Sequence, residues 1–308
     1  MKSLPIKNTI KTTTYKHYLY SFREWLQTLG YSASSVYYMP RILEEFLKWL
    51  EEKNIVEITE TTSNTIEEFI TYNKTRKNKR REGALSISQS NRYIDVIKKF
   101  AEYLHHTHHI QLNINSKREK KEAKTDYIIL TVEEIKSLYN ATEETPIGIR
   151  DRAMLSIYYG CGLRKSEGIN LEVNDILFDR KLVHVRKSKN NQERYVPITA
   201  SNLKYLEQYI YNARPLLLSD TSPSGRQGGV LFLSEKGNAI SSQTMYIRLK
   251  QVCEKAKLNK EIGLHTLRHS IATHLLQQGI QLEQIALFLG HKSLESTQIY
   301  THIMNNEK

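Results

Sequence analysis

The sequence predicts a mainly α protein with a small β-sheet or hairpin, arranged as an all-helical N-terminal domain followed by an α+β domain. Three observations predict it. Apolar residues recur at helical spacing through most of the chain, strand-like runs cluster near residues 182–198, and an aperiodic charged segment at 113–126 separates the two parts. The 308 residues are room for two ordinary domains, and 39% hydrophobic content with 13 Gly and 6 Pro excludes wholesale disorder and fibrous repeats.

Within 1–112, helices are predicted over 18–29, 35–52, 63–73 and 88–105. In the second, Ile42, Phe46, Leu47, Trp49 and Leu50 share one face, with Glu45, Lys48 and Glu51 around the other. Between the last two helices stand Lys74, Arg76, Lys77, Lys79, Arg80 and Arg81, too basic and polar to pack. This run reads either as a solvated loop or as an arm that touches phosphate. The histidines at 105, 106, 108 and 109 end a helix whose dipole suits cations, and without acidic or cysteine neighbours they are not read as a metal site.

Residues 113–126, NINSKREKKEAKTD, read as a linker, which leaves 127–308 as the second domain. There Thr131 and Glu134 form a capping-box pair before a helix ending at Tyr139, and a helix over 147–159 is stopped by Gly160 and Gly162. The runs 182–185 and 194–198 flank a turn-like SKNNQ and predict a hairpin; 230–233 is a further candidate strand. Helices return at 203–212, 241–257, 266–278, 282–289 and 293–303, with a Gly- and Pro-containing loop at 219–229.

Lys and Arg number 45 against 33 Asp and Glu, a net charge of +12. Such an excess suits a polyanionic partner. A bias toward Ile, Asn, Tyr and Lys set by genome base composition would give a similar excess, so charge alone leaves nucleic-acid binding open. No apolar run approaches the roughly 20 residues that span a bilayer, and the N-terminus lacks the apolar core of a secretory signal, so a cytoplasmic protein without membrane partners is expected. Cys161 and Cys253, far apart and outside any CxxC spacing, indicate neither a disulfide framework nor a zinc site and read as packing residues.

Chemistry-bearing residues gather in the second domain. In LHTLRH, His265 and Arg268 lie three apart on the first turn of a helix, where free N–H groups and the dipole already favour anions. GCGLRKSE places Arg164 three residues before Glu167, LGHKS carries His291, and QIYTH carries Tyr300. Singly, each has a structural reading: a surface His, a salt-bridged Arg, a C-cap at Gly290, a buried aromatic at Tyr300. His269 and His274 read as packing or capping residues of the same helix.

Together these segments resemble the tyrosine recombinases of the phage-integrase family, particularly the small Xer-like members. The likeness covers about residues 10–305, with motif-level similarity over 153–302: GCGLRKSE is similar to the family's first box, LHTLRHSIATHLLQQG to its second and LGHKSLESTQIYTHI to its third. It implies a helical core-binding, SAM-like domain and a catalytic domain that together clamp duplex DNA. It further implies Arg164, Lys189, His265, Arg268 and His291 as catalytic residues, Tyr300 as nucleophile and Glu167 as a supporting acid. Matching Glu193 and Arg194 to the family's hairpin selects Lys189 over Lys187 as general acid, although Ser188 and Asn190 stand where that family more often has glycine. Phosphate contacts fall to Lys74, Arg76, Lys77, Lys79, Arg80, Arg81, Lys165 and Lys292.

The implied activity is site-specific recombination through a 3′-phosphotyrosine and a Holliday junction, without metal, ATP or other cofactor. The implied partners are double-stranded DNA carrying a specific site and three further copies of the chain on paired sites, with a partner recombinase or an accessory DNA-bending protein as additional candidates, all at the bacterial nucleoid. Two alternatives use the same fold: a type IB topoisomerase and a catalytically silent DNA-binding regulator. Eight residues follow Tyr300, where relatives of this size carry a further helix, so contacts between neighbouring active sites are expected to differ.

Overall fold

The computed structural model describes residues 10–76, 85–119, 127–186, 193–218 and 229–291. The chain divides into two compact units, Met1–Ala123 and Lys124–Lys308.

The first unit consists, among the described residues, of helices α1 (Thr13–Thr28), α2 (Ala33–Glu52), α3 (Ser63–Thr75) and α4 (Ile87–His108). Ser32, Thr62 and Ser86 each accept an N–H from the first turn of the helix they precede, which fixes where α2, α3 and α4 begin. Their apolar faces meet in an aromatic core of Phe22, Phe46, Trp49, Phe69, Phe100 and Tyr103, with Phe22 edge-on to Phe100 at 5.7 Å. The histidine run joins this core: His108 Nε2 lies 3.0 Å from Tyr103 Oη, and its ring packs edge-on against Tyr18. The first half of the charged 113–126 segment lies along this unit. Ser63 Oγ donates to the Asn113 carbonyl at 2.8 Å, and Asn91 exchanges two 2.9 Å hydrogen bonds with the Glu119 backbone. Residues 120–126 lie outside the described residues.

The second unit opens with α5 (Val132–Asn140), whose Thr131–Glu134 capping box forms as predicted. Helix α6 (Pro146–Leu155) widens into a π turn at Ser156–Gly160, and a short α7 spans Lys165–Ile169. Strands β1 (Ile176–Leu177), β2 (Leu182–Val185) and β3 (Arg194–Pro197) form an antiparallel sheet in that order. In it Val183 pairs with Val196, and these with Val185 turn into the core. Then follow α8 (Ala200–Gln208), a second π turn at Tyr209–Ala213, α9 (Arg214–Leu217), α10 (Ser242–Lys255), α11 (Leu264–Gln277) and α12 (Leu282–Leu289). The predicted 293–303 helix lies outside the described residues.

The predicted strand at 230–233 is instead two isolated bridges, Glu172↔Val230 and Leu233↔Ala239. Buried arginines occupy the carbonyls a ladder would use: Arg214 donates to Val230 and Leu231, and Arg150 to Leu233 at 2.9 Å. Helices predicted over 147–159 and 203–212 each end in a π turn, an inserted residue that apolar spacing does not reveal. Cys161 and Cys253 are buried in the core. No described helix is long and apolar enough to cross a membrane.

Candidate active site

The site forms where α7, α11 and β3 meet the C-terminal end of α12. A helix end leaves carbonyls without intrahelical partners, at the negative pole of the dipole. Here the carbonyls of Phe288, Leu289 and Gly290 are taken by arginines from three different elements. The chain leaves α12 through Gly290 at φ +67°, which places His291 directly after the last of these carbonyls.

Arg268 comes from the N-terminal part of α11, one turn after Leu264, and is 4% exposed. Its Nη1 donates to the Gly162 carbonyl and its Nη2 to that of Leu289, 2.8 Å away. Gly162 is at φ +58°, a conformation that disfavours any side chain, and a Cβ there would stand 2.9 and 3.0 Å from the side-chain ends of Leu289 and Phe288, which would have to shift. His265, three residues before Arg268, is exposed to solvent at the mouth of the site, as is Lys165 at the start of α7.

Arg164 caps α7. Its backbone N–H donates to Glu167 Oε2 at 2.8 Å, its Nη1 to Glu167 Oε1 at 3.0 Å, and its Nη2 to the Gly290 carbonyl at 2.8 Å. The same carboxylate receives a forked pair from Arg194, at 3.1 and 2.9 Å. Arg194 Nε reaches the Phe288 carbonyl at 3.2 Å.

The cations set the protonation states. Burial works to raise the Glu167 carboxyl, but the hydrogen bonds from Arg194 and then Arg164 outweigh it and hold the group at about 2, so Glu167 is ionised. Desolvation together with Arg268, Lys165 and Arg164 holds His265 below its ordinary value. Desolvation and then Arg268, Arg164 and Arg194 bring His291 down to about 4. Both imidazoles are therefore neutral at pH 7, each with one nitrogen able to accept and one able to donate.

Of the residues singled out from the sequence, Arg164, Glu167, His265, Arg268 and His291 are brought together, with Lys165 at the rim. His269 rests against the Tyr127 ring at 5.3 Å, and His274 Nδ1 lies 3.0 Å from Tyr159 Oη, so both pack as expected. Lys187, Lys189, Lys292 and Tyr300 lie outside the described residues, as do Lys77, Lys79, Arg80 and Arg81. In the helical unit Lys74 is ion-paired with Glu119, and Arg76 contacts Glu45 at 2.6 Å and Tyr93 Oη at 2.8 Å. A phosphate would have to replace these partners at both positions. Arg194, which in the sequence served only to align the hairpin, is the participant not singled out for the site; it opens a strand that turns Val196 into the core and leaves Tyr195 exposed.

The phage integrase family pattern matches residues 129–307. Tyrosine recombinase XerC 2 of Ralstonia nicotianae is 30% identical over 93% of this chain and 81% of its own length. Tyrosine recombinase XerD of Listeria innocua is 31% identical over 89% of each. Among solved structures, XerH site-specific recombinase bound to difH substrate in a pre-cleavage complex superposes with a TM-score of 0.71 at 19% identity, covering 98% of this chain and 89% of that one. A lambda integrase dimer bound to a COC′ core site gives 0.65 at 17% identity, covering 92% and 94%. The fold is thus shared with both, and the pattern match together with the Xer relatives establishes that this chain belongs to the phage integrase family, the tyrosine site-specific recombinases.

Proposed function

We propose that the protein cleaves and rejoins duplex DNA at a specific site, with Tyr300 as nucleophile. The phenol oxygen forms a bond to a backbone phosphorus, the bond from phosphorus to the 5′-oxygen breaks, and the products are a 3′-phosphotyrosine and a free 5′-hydroxyl. Rejoining is the same step reversed by another 5′-hydroxyl, so neither ATP nor metal enters. Paired exchanges within four copies on two sites pass through a Holliday junction, with a partner recombinase or DNA-bending protein joining where the site demands it. The complexes of XerH with difH and of lambda integrase with a core site support DNA as the partner.

The observation that carries the reading is the meeting of Arg164 and Arg268 on the Leu289 carbonyl, with His265 and His291 beside them. In the transition state the equatorial phosphoryl oxygens carry excess negative charge. Carbonyl partners fix both guanidiniums in space, and because Arg164 and Arg194 share the single Glu167 carboxylate while Arg268 adds a further charge, the group stays net positive and meets that oxygen cluster preorganised. Neutral His265 takes the proton of Tyr300, and neutral His291 donates a hydrogen bond to a phosphoryl oxygen. Lys189, or Lys187 in its place, delivers a proton to the departing 5′-oxygen. Lys165 and Lys292 hold flanking phosphates, with Lys74, Arg76, Lys77, Lys79, Arg80 and Arg81 serving the helical unit, so log affinity falls by about 0.9 per neutralised phosphate for each tenfold rise in salt.

The test uses the duplex that Tyr300→Phe selects from a random-sequence pool, rebuilt with a nick beside the scissile phosphate. Wild type is expected to trap itself covalently on it and Tyr300→Phe is not. Binding without any adduct from wild type would establish a silent DNA-binding regulator instead. Relaxation of a plasmid with paired sites, without exchanged products, would establish a topoisomerase.

A further inference from the structure

Arg194 takes no part in the chemistry just proposed, yet all three of its guanidinium nitrogens meet acceptors in the site. Two hold Glu167 and the third holds the Phe288 carbonyl, so one planar fork ties β3 to α7 and to the end of α12. The Arg194 side chain is 10% exposed against 27% for Arg164, so it faces inward while Arg164 keeps a solvent-facing part. Gly290 presses on the same group: a Cβ there would stand 2.7 Å from Arg194 Nη1. Glu167 passes the constraint on, because it binds both the backbone N–H and the guanidinium of Arg164.

We propose that Arg194 is a positioning residue for strand cleavage, acting through Glu167 on Arg164 and through the Phe288 carbonyl on the peptide that carries His291. The inference rests on the recombinase chemistry proposed above. A second effect follows from charge. Among the described residues, the groups facing Glu167 include Arg164 at the start of α7, Arg194 from β3 and Tyr158 from the π turn, while α12 presents carbonyls. Burial is the strongest influence on this carboxyl and Arg194 the strongest counterweight, so without Arg194 the carboxyl rises and takes up a proton at higher pH.

The experiment measures single-turnover cleavage of the nicked duplex at saturating DNA, alongside DNA affinity and urea unfolding, for wild type, Arg194→Met and Arg194→Lys. Misplacing a reacting group costs on the order of a hundredfold, and Arg194→Met is expected to lose about that much rate with affinity unchanged. Arg194→Lys keeps a charge but not the fork and is expected to remain at least about tenfold slow. The acid limb of the rate profile should move to higher pH in Arg194→Met and stay near wild type in Arg194→Lys. Wild-type rate in either variant overturns the proposal, as does a defect that more DNA fully restores. If Arg194→Met does not fold, Arg194→Lys decides by the same criteria. No adduct from wild type sinks the recombinase chemistry and this inference with it; normal cleavage by the Arg194 variants sinks the inference alone.

Discussion

Among the described residues, the second unit contains two carboxylates clasped by two arginines each. Asp151 of α6 is held by Arg150 and by Arg248 of α10, with Arg150 wholly buried and its remaining reach spent on the Leu233 carbonyl inside the core. Glu167 of α7 is held by Arg164 and Arg194, but its arginines also grip the end of a helix, and beside them His265 and Lys165 open to solvent. The charge composition is the same in both. Carbonyl contacts occur in both; what separates the reactive knot from the structural one is a third arginine, Arg268, on the same helix end and a side open to solvent at His265 and Lys165.

The largest effect that sharpens this contrast is on rate. Arg268→Ala is expected to slow single-turnover cleavage by a hundredfold or more at saturating DNA, about 3 to 4 kcal/mol of transition-state stabilisation, while the protein still unfolds cooperatively. Next come the two carboxylates. Asp151→Ala leaves two arginines without their buried partner, and urea unfolding should show a loss of about 3 to 5 kcal/mol. Glu167→Ala should cost a similar amount and, unlike Asp151→Ala, also slow cleavage by the molecules that remain folded.

These pairings explain how much could be read from the sequence. His265 with Arg268 and Arg164 with Glu167 are legible because three-residue spacing on a helix turn brings them together whatever the rest of the chain does. Gly290 and His291 are legible as a helix stop followed by a polar group. Arg194 is not, because its carboxylate lies 27 residues away and the contact exists only once β3 docks beside α12. The same holds for 230–233, whose ladder bonds went to Arg150 and Arg214, and for 113–119, whose charge suggested a solvated linker while Asn91 bound its backbone. Local periodicity and capping are written in neighbouring residues; long-range capture of a backbone by a side chain is not.

A smaller effect probes the α12 end itself. Gly290→Ala forces a side chain into a φ of +67° and against Arg194, so a loss of about 1 to 2 kcal/mol in unfolding free energy is expected, accompanied by slower cleavage.

The mildest test is pH. His291 and His269 are held at about 4 against an ordinary value of 6.5. Between those values the unfolded chain binds more protons, so stability is full above 6.5 and falls as pH drops toward 4. Glu167, depressed to about 2, contributes stability above its ordinary 4.5 that is lost only as pH falls on toward 2. Urea midpoints across pH should therefore decline in two stages, and His291→Gln should flatten the upper one.

The most direct measurement compares Arg268→Lys with Arg248→Lys in the same single-turnover cleavage assay, at saturating DNA and with unfolding recorded for each. Lysine keeps the charge and loses the fork at both sites. Arg268→Lys is expected to lose most of the cleavage rate with little change in stability, whereas Arg248→Lys, whose side chain bonds Asp151 and Gln251 away from the site, loses stability and cleaves at the wild-type rate. Equal rate losses in the two variants, or an unimpaired Arg268→Lys, would contradict this distinction between the two knots.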